Sequence, residues 1–520
     1  MAGVRLATAP GRWILLATVL GSSVASLDAT VVNVALPRLA RELDAGMAGL
    51  QWTVNAYTLT LAGFILLGGS LGDRFGRRRI FVIGVVWFAL ASLLCGAAQN
   101  VETLVAARAL QGVGGALLAP GSLAIIQASF AGDDRPRAVG AWSGFGGVAG
   151  AIGPFAGGWL VEAAGWRWVF LLNLPLAALV VVVALRHVPE SFDPVARGRF
   201  DILGAVLAAL ALAGTTYALT EAPEATASTA VVGAAAALGL AAAVAFVWVE
   251  RARGRGRGLL AGRGGRAAPR PMLPLDVFAS REFSAVNVVT FVVYGGMGVM
   301  FFLLVLNLQV VSGFSAIAAG TALLPVTVLM LLLSSRAGAL AQRIGPRRPM
   351  AAGLLVAAAG MLLIGRIGAD ASYARDVLPA VTVFGLGLSA VVAPLTATVL
   401  ASADVRHAGV ASGVNNAVAR AAGLLAVAAI PPLTGLTGDA YENPAVFSDG
   451  FRTAMPLCAA LLVAGAVLTF LTVGDDVLRA APEETEPQCR MHCAVGAPPL
   501  EPDRDQAPPA PASDPDPSAR

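Results

Sequence analysis

Two charged residues, Asp28 and Arg108, lie in the middle of long apolar segments of a 520-residue sequence in which only 13% of the residues are charged. A charged side chain within such a segment is costly and by default marks a functional site. Because removal from water favours the neutral form of a carboxyl group, Asp28 is a candidate for binding and releasing protons. A buried guanidinium needs a partner, and Arg108 can find one in Asp28, in backbone carbonyls or in water. The alternatives are a structural hydrogen-bond acceptor at Asp28 and a fixed structural cation at Arg108.

A third charged residue, Arg420, lies within the apolar segment "SGVNNAVARAAG" (412–423). Asn416 precedes it by one helical turn and shares its face. The last six apolar segments offer no carboxylate that could pair with Arg420. Its partner is therefore expected to be a substrate, backbone carbonyls or the tenth helix.

A loop between the second and third apolar segments, "GSLGDRFGRRR" (69–79), returns in altered form as "GALAQRIGPRR" (338–348), with six of eleven positions identical. Arginines hold such a loop on the cytoplasmic side of a membrane, and its glycines allow the turn. Orientation does not require Asp73, but a negative group there can cap the N-terminus of a facing helix through the helix dipole. The second copy has Gln342 and Pro346 in place of Asp73 and Arg77, so we expect the connection that it forms to be weaker than that of the first copy.

The composition requires a membrane protein, because 57% of the residues are hydrophobic and the mean hydropathy is +0.74. Apolar segments of about 20 residues without strict alternation favour helices and exclude a barrel. The predicted fold class is an all-α polytopic membrane protein with fourteen transmembrane helices. The predicted spans are 13–36, 51–71, 80–98, 103–127, 138–160, 167–187, 201–220, 228–249, 284–307, 316–335, 350–366, 377–400, 408–431 and 453–473.

The distribution of arginine predicts the orientation. With the N-terminus inside, the cytoplasmic segments before the tail hold 24 arginines, whereas the opposite loops hold six. Both termini are therefore expected in the cytoplasm, and the chain is expected in the plasma membrane. The first apolar segment carries Asp28 and ends at Pro37 without a cleavage-type site, so it is not expected to be a removed signal peptide.

The repeated loop divides the chain into two six-helix halves with two helices inserted between them. The predicted parts are a cytoplasmic N-terminus (1–12), an N-terminal six-helix bundle (13–187), inserted helices 7 and 8 (188–250), an Arg/Gly-rich cytoplasmic linker (251–282), a C-terminal six-helix bundle (283–473) and a disordered cytoplasmic tail (474–520). The linker carries no aromatic residue between its arginines, so a flexible linker is favoured over a nucleic-acid-binding segment. In the tail, a stray pair of thiols is favoured over a metal site at Cys489, His492 and Cys493.

Five motifs resemble the fourteen-helix drug:proton antiporter branch of the major facilitator superfamily (the QacA/EmrB type), and the likeness runs from about residue 13 to residue 473. In chain order they are "LDATVVNVALP" (27–37), "GSLGDRFGRRR" (69–79), "LVAARALQGVGGA" (104–116), "GPFAGG" (153–158) and "WRWVFLLNLP" (166–175). The resemblance implies a secondary exporter that exchanges amphipathic organic compounds, such as drugs, antibiotics or metabolites, for protons by alternating access. It implies no cofactor, because the proton gradient is the energy source.

The resemblance also implies roles for particular residues. Asp28 and Arg108 are expected to couple transport to protons, and the first loop is expected to latch the two halves together on the cytoplasmic side in the outward-open state. The latch residues are Gly69, Asp73, Arg74, Gly76, Arg77 and Arg78, with Asp133 and Asp134 as expected partners of the arginines. The antiporter motif of helix 5 comprises Gly153, Pro154, Gly157 and Gly158, whose small residues let the helix kink and approach a neighbour closely.

The substrate pocket is the least readable part, because an apolar pocket with few polar groups leaves a weak pattern. The candidates are Asn33, Asn55, Tyr57, Gln111, Trp142, Phe145, Tyr294, Met297, Phe301, Asn416 and Arg420. Few acidic residues lie in the spans, which disfavours broad recognition of dicationic drugs. The expected partners are a small-molecule substrate, protons and the lipid bilayer, with no nucleic acid and a chain that works as a monomer.

Other functions remain as alternatives. The same scaffold could serve an importer or a lipid translocator, and sodium is an alternative coupling ion. A sensor that transports nothing is disfavoured by the repeated loop and the charged residues within spans. An enzyme is disfavoured because the sequence contains no nucleotide-binding loop, metal cluster or arrangement typical of nucleophilic catalysis.

Overall fold

The computed structural model describes residues 4–130, 132, 134–192, 201–224, 227–254, 273, 275–402 and 408–478. The helices of this part form a single compact unit. Helices are its only regular elements apart from an isolated bridge between Val4 and Phe130. Asp133, most of the Arg/Gly-rich linker, and the tail with Cys489, His492 and Cys493 lie outside the described residues.

Fourteen helices are long and apolar enough to cross a membrane, which confirms the predicted fold class. In chain order they are α1 (Ala9–Leu43), α2 (Met47–Phe75), α3 (Arg77–Gly96), α4 (Val101–Ser129), α5 (Asp134–Ala163), α6 (Arg167–His187), α7 (Ile202–Glu221), α8 (Thr229–Gly254), α9 (Arg281–Val310), α10 (Ala316–Ile344), α11 (Arg347–Ile364), α12 (Tyr373–Ala401), α13 (Ala408–Leu433) and α14 (Pro444–Thr472). The division into domains stays a prediction.

Several helices extend beyond the predicted spans, because hydrophobicity marks the membrane core and not the end of a helix. Helix α1 continues through Pro37 and ends at Leu43, where Asp44 adopts a left-handed conformation with φ of 51°. Its start is fixed by Thr8, whose side chain accepts a hydrogen bond from the Gly11 amide. Helix α14 starts nine residues before the predicted span, with Asn443 as the capping residue and a proline in the first turn.

Glycines allow the helices of each half to pack closely. A side chain at Gly114 on α4 would meet the backbone of Phe88 on α3 at 2.7 Å, and one at Gly84 on α3 would meet Leu117 at 2.8 Å. In the second half, Gly353 on α11 faces the backbone of α12 in the same way. Small residues at these positions bring the helix backbones together, which is how helices associate where lipid provides no hydrophobic drive.

The two halves, α1–α6 and α9–α14, contact each other along α2 and α13 and are joined by hydrogen bonds near one end of the bundle. We name the end that holds residues 69–79 the latch end and the opposite end the far end. Near the far end the Gln309 side chain donates to the Val34 carbonyl at 3.1 Å, and the Met47 amide donates to the Gly438 carbonyl at 2.8 Å. The far end is therefore closed in this structure.

Helices α5 and α10 contribute to the same closure. The Ile317 amide donates to Glu162 at 2.8 Å across the two halves. A side chain at Gly158 would lie 2.6 Å from the carbonyl oxygen of Ala316, so the two helices touch where both chains are small. The contact depends on glycine and cannot accept even a methyl group without moving one half.

The inserted helix α7 packs against both halves, on α2 of the first and α13 of the second. The end of α7 and the loop that follows it add two hydrogen bonds near the far end. The Trp52 indole donates to Glu221 at 2.7 Å, and the Gly438 amide donates to Glu224 at 3.2 Å. Helix α8 packs on α7 and leaves most of its side chains outside the protein. The inserted pair thus joins the halves rather than standing apart from them.

A cluster of charges ties the other end of the inserted pair together. Arg253 at the end of α8 pairs with Asp201 at the start of α7, and Glu250 accepts a hydrogen bond from the Leu273 amide at 2.9 Å. Burial raises the pKa of Asp201, but hydrogen bonds with Glu250, Arg253 and the Gly204 amide outweigh it, and the pKa is lowered from its usual value. The ionised carboxylate therefore stabilises this end of the pair.

Candidate functional site

Asp28 and Arg108 form a buried ion pair inside the first half. A terminal nitrogen of Arg108 on α4 lies 2.5 Å from a carboxylate oxygen of Asp28 on α1, and each residue is 1% exposed. The sequence offered three partners for Arg108, and the structure brings it to two of them, because its Nε also donates to the Thr53 carbonyl at 3.0 Å. Neither charge is left uncompensated, which is the condition for burying an ion pair at tolerable cost.

Amide and hydroxyl groups complete the surroundings of this pair. Gln111 donates to Asp28 at 2.8 Å and accepts from Arg108 at 2.6 Å. Asn173 donates to the same Asp28 oxygen at 3.0 Å. Ser92 accepts hydrogen bonds from both Gln111 and Asn173, at 2.6 and 3.0 Å. We name these five residues the carboxylate network. Four helices contribute to it, so a change in the charge of Asp28 must be felt by all of them.

Local structure explains why these side chains converge. Arg108 and Gln111 are three residues apart on α4 and therefore share one face of that helix. Asn173 follows Leu172, which separates two helical segments of α6, so its side chain lies at the start of the longer segment. Asn173 and Ser92 were not among the predicted site residues. A signal for Asn173 existed, since it is the one uncharged amide in the largely apolar motif "WRWVFLLNLP".

Tyr57 packs against the carboxylate network. Its ring lies 4.4 Å from the guanidinium carbon of Arg108, a cation–π contact, and packs edge-on against Phe88. A side chain at Gly115 would come within 3.2 Å of the Tyr57 hydroxyl, so the glycine leaves room for the ring. Tyr57 was predicted as a substrate residue, and the structure places it against the ion pair.

Arg420 lies on α13, in the second half, and has no counter-charge. Its Nε is buried, and the guanidinium makes no hydrogen bond or ion pair within the described part of the chain. The polar groups close to it are the phenols of Tyr57 and Tyr294. The structure thus brings together three of the predicted substrate residues from α2, α9 and α13.

The remaining substrate candidates fall into different surroundings. Asn33 and Asn55 each carry a buried polar atom that has no hydrogen-bond partner among the described residues. Trp142 donates to Ser22 on α1 at 2.8 Å, which fixes it within the first half. Met297 and Phe301 pack against the hydrophobic core, while Phe145 and Asn416 are exposed on the helix surface. Their roles in binding stay predictions.

The loop after α2 is organised by two ion pairs within the first half. Arg77 lies 2.8 Å from Asp73, and Arg78 lies 3.8 Å from Glu190. The carboxylate that caps the N-terminus of α3 is Glu190, which accepts from the amides of Arg78 and Arg79 at 3.0 and 3.2 Å. The N-terminus of α3 is therefore capped by Glu190, which follows α6, whereas a cap by Asp73 on a facing helix stays a prediction.

Glycines differ in how strictly this loop needs them. Gly76 has φ of 109° and a side chain there would collide with the Glu190 carboxylate at 2.6 Å. Gly69 has its nearest neighbour at 3.6 Å, an ordinary contact. Asp134 accepts a hydrogen bond from the Leu6 amide at 3.0 Å and lies 3.8 Å from Arg137, so its described partners are not the loop arginines.

The "GPFAGG" motif serves two different contacts. Side chains at Gly153 and Gly157 would collide with Thr30 and Val31 on α1, within the first half. Gly158 faces α10 of the second half, and the backbone carbonyl of Pro154 lies against Gly320 there. The predicted close approach of α5 to a neighbour therefore involves both α1 and α10.

Comparisons with known proteins agree on a single family. The sequence profile of the Major Facilitator Superfamily matches residues 18–220 and again residues 198–427. The puromycin resistance protein pur8 of Streptomyces alboniger is 35% identical over 488 residues, covering 91% of this chain and 93% of that protein. The tetracenomycin C resistance and export protein of Streptomyces glaucescens is 33% identical over 431 residues, covering 82% and 77%. A crystal structure of the peptide transporter POT in complex with sulfate has the same fold, with a TM-score of 0.63 at 15% identity, over 88% of this chain and 95% of that one.

Proposed function

The chain belongs to the Major Facilitator Superfamily, and on that basis we propose that it exports amphipathic organic compounds in exchange for protons, with Asp28 as the proton carrier. The observation that carries the proposal is the carboxylate network, in which the one carboxylate in the middle of a described span meets a guanidinium, two amides and a hydroxyl. Resistance and export proteins among its relatives support the direction of transport.

The network gives the carboxylate two distinct states. When Asp28 is ionised, Arg108 balances its charge, and the carboxylate accepts hydrogen bonds from Gln111 and Asn173. When Asp28 takes up a proton, Arg108 loses its counter-charge while remaining buried against the Thr53 carbonyl. The cost of that unbalanced charge is a free-energy difference which α1 and α4 can relieve by moving. A proton thereby favours one arrangement of the helices over another.

The direction of the cycle follows from the predicted orientation. If the latch end faces the cytoplasm, the closed far end faces the outside, and this structure is a state that is closed to the outside. Opening the far end requires α5 and α10 to separate at Gly158 and the Met47–Gly438 hydrogen bond to break. Protonation of Asp28 from outside would then reset the carrier, with energy drawn from the proton gradient.

Drug-dependent proton movement tests this proposal. Inverted membrane vesicles with a respiration-generated pH gradient are loaded with a pH-sensitive dye, and puromycin and other amphipathic compounds are added. The wild type is compared with Asp28→Asn and with Asp449→Asn, an exposed carboxylate on α14 that serves as the matched control. A drug that dissipates the gradient in the wild type and in Asp449→Asn, but not in Asp28→Asn, supports the proposal.

Two results would count against it. If cells export a compound that leaves the gradient untouched in vesicles, proton exchange is wrong and the coupling ion or the direction must change. If Asp28→Asn dissipates the gradient as the wild type does, exchange stands but the proton carrier is another residue.

A further inference from the structure

The guanidinium of Arg420 lies in the middle of α13, away from both helix ends, and has no counter-charge among the described residues. Among the described carboxylates, Asp28 alone lies more than two turns from a helix end, and it is already paired with Arg108. The Nε of Arg420 is buried without a hydrogen-bond partner. The residue as a whole is half-buried. A cation largely withdrawn from water without a counter-charge is costly, so a site of this kind suits an anion that comes from outside the chain.

Contacts between helices fix the position of Arg420. Helices α2 and α13 run antiparallel, because Gln51 donates to the Val427 carbonyl while Leu66 lies beside Gly413. This register sets Arg420 level with the residues that follow Tyr57. Helices α9 and α13 run parallel, since Asn415 donates to Thr290 and Gly298 faces Gly423, and they set Arg420 level with Tyr294. Two aromatic rings therefore stand on the two helices that flank the guanidinium.

The same registers separate Arg420 from the carboxylate network. Arg108 is level with Thr53 on α2, because it donates to that carbonyl. Five residues of helix lie between that level and the level of Arg420, which corresponds to roughly 8 Å along the axis. Arg420 is displaced toward the latch end, and Tyr57 lies close to both guanidinium groups. A compound that enters from the latch end meets Arg420 before it reaches Asp28.

We propose that Arg420 binds an ionised acid group of the transported compound, so that the preferred substrates are amphipathic organic anions. The inference rests on the proposed export function, to which it adds a substrate class. A guanidinium matches a carboxylate with two parallel hydrogen bonds, and an ionised ring hydroxyl can accept one of them. The rings of Tyr57 and Tyr294 offer flat apolar contact to the body of the same compound.

Two dyes with the same xanthene skeleton test the inference: fluorescein, which is anionic, and rhodamine 123, which is cationic. The protein is purified into phosphatidylcholine nanodiscs, so that no anionic lipid can occupy the site, and binding is measured by fluorescence polarisation. The variants are Arg420→Gln, Arg420→Lys and Arg452→Gln, the last an exposed arginine on α14 as the matched control. Elution as a single species on gel filtration establishes that each variant is folded.

The wild type should bind fluorescein more tightly than rhodamine 123. Arg420→Gln should weaken fluorescein binding roughly ten- to a hundredfold, because a hydrogen bond to a charged group is lost, and should not weaken rhodamine 123 binding. Arg420→Lys should retain the preference for the anion at reduced affinity, and it replaces Arg420→Gln if that variant does not fold. Arg452→Gln should behave as the wild type.

Three results overturn the inference: no saturable binding of fluorescein to the wild type, a preference for rhodamine 123, or fluorescein binding that Arg420→Gln leaves unchanged. The failure of the inference and of the proposed function are separable. Drug-dependent proton movement with a preference for cations overturns only the anion site. An anion site without any drug-dependent proton movement leaves Arg420 in its role and overturns proton exchange.

Discussion

The buried pair of Asp28 and Arg108 should behave as a single unit when its members are replaced. Asp28→Asn leaves the Arg108 guanidinium buried without a counter-charge, and Arg108→Gln leaves the carboxylate in the same situation. Breaking a buried ion pair by removing one partner costs about 3–5 kcal/mol in the free energy of unfolding. The double variant removes both charges and places two amides at a separation that a hydrogen bond can span. We expect it to be more stable than the sum of the single losses implies by about 2–3 kcal/mol.

A double-mutant cycle measures this difference. Each protein is unfolded by sodium dodecyl sulfate in mixed micelles, and the transition is followed by the fluorescence of the eight tryptophans. The matched control is the pair Arg38–Glu42, whose atoms are 3.0 Å apart but whose side chains are 40% and 38% exposed. Exposed pairs couple weakly, so this cycle should yield less than about 1 kcal/mol.

Stability and transport should separate in the double variant. Because it recovers stability without recovering an ionisable group, we expect a folded protein that shows no drug-dependent proton movement. The reasoning is refuted if the costs of the two single substitutions add to within about 0.5 kcal/mol, since residues that do not interact behave in that way. It is refuted equally if the double variant exchanges protons as the wild type does.

Three further predictions concern local geometry. Gly76→Ala should lower the midpoint of thermal unfolding and cost about 1–3 kcal/mol in the free energy of unfolding, because φ is 109° and the new methyl group meets a carboxylate. Gly69→Ala, in the same motif, should be neutral or slightly stabilising. Equal losses of stability in the two variants would contradict this. Gly158→Ala should separate α5 from α10 and so raise the reactivity of cysteines introduced at the far end toward a membrane-impermeant maleimide. Gly150→Ala is the control, because Gly150 has open space around it, and it should leave the labelling unchanged. If Gly158→Ala also leaves the labelling unchanged, the contact does not hold the far end closed. The folded-state pKa of Asp201 is lowered from its usual 3.8, so its ionised form stabilises the fold fully above that value, and the contribution is lost as the pH falls from there through the lower folded-state pKa. Thermal unfolding between pH 5 and about pH 3 should therefore show a smaller pH dependence in Asp201→Asn than in the wild type. Identical pH profiles would contradict the assignment.

The helices and the charged residues within them could be predicted from the sequence, because both follow from the absence of water in the membrane core. Asp28, Arg108 and Arg420 stand out in an apolar background, and the arginine balance depends only on composition. The partners of these residues could not be predicted, because they come from helices distant in the chain. Asn173 and Ser92 are small polar residues of a kind that also packs between helices without any function. Their part in the site depends on how α3 and α6 are placed around α1.

The loop after α2 shows a second limit. Its motif is readable, but the residue that caps α3 is Glu190, more than 110 residues later in the chain. The sequence also cannot distinguish the glycine that φ requires from the glycine that only packs, since Gly76 and Gly69 look alike in the motif. The position of α7 could not be predicted either, because an Ala- and Leu-rich sequence does not indicate which helices it contacts.

The position of α7 makes the carrier asymmetric toward the lipid. Carriers with two halves have two lateral seams, and α7 covers the one between α2 and α13. At the other seam, α5 carries Phe145, Phe155 and Trp159, each of which is about half exposed. Amphipathic compounds partition into a leaflet before they meet a protein, so their concentration in the lipid exceeds that in water. The inserted pair therefore covers one lateral seam and leaves the seam beside α5 uncovered. We expect compounds dissolved in the bilayer to reach the protein beside α5 and not beside α2.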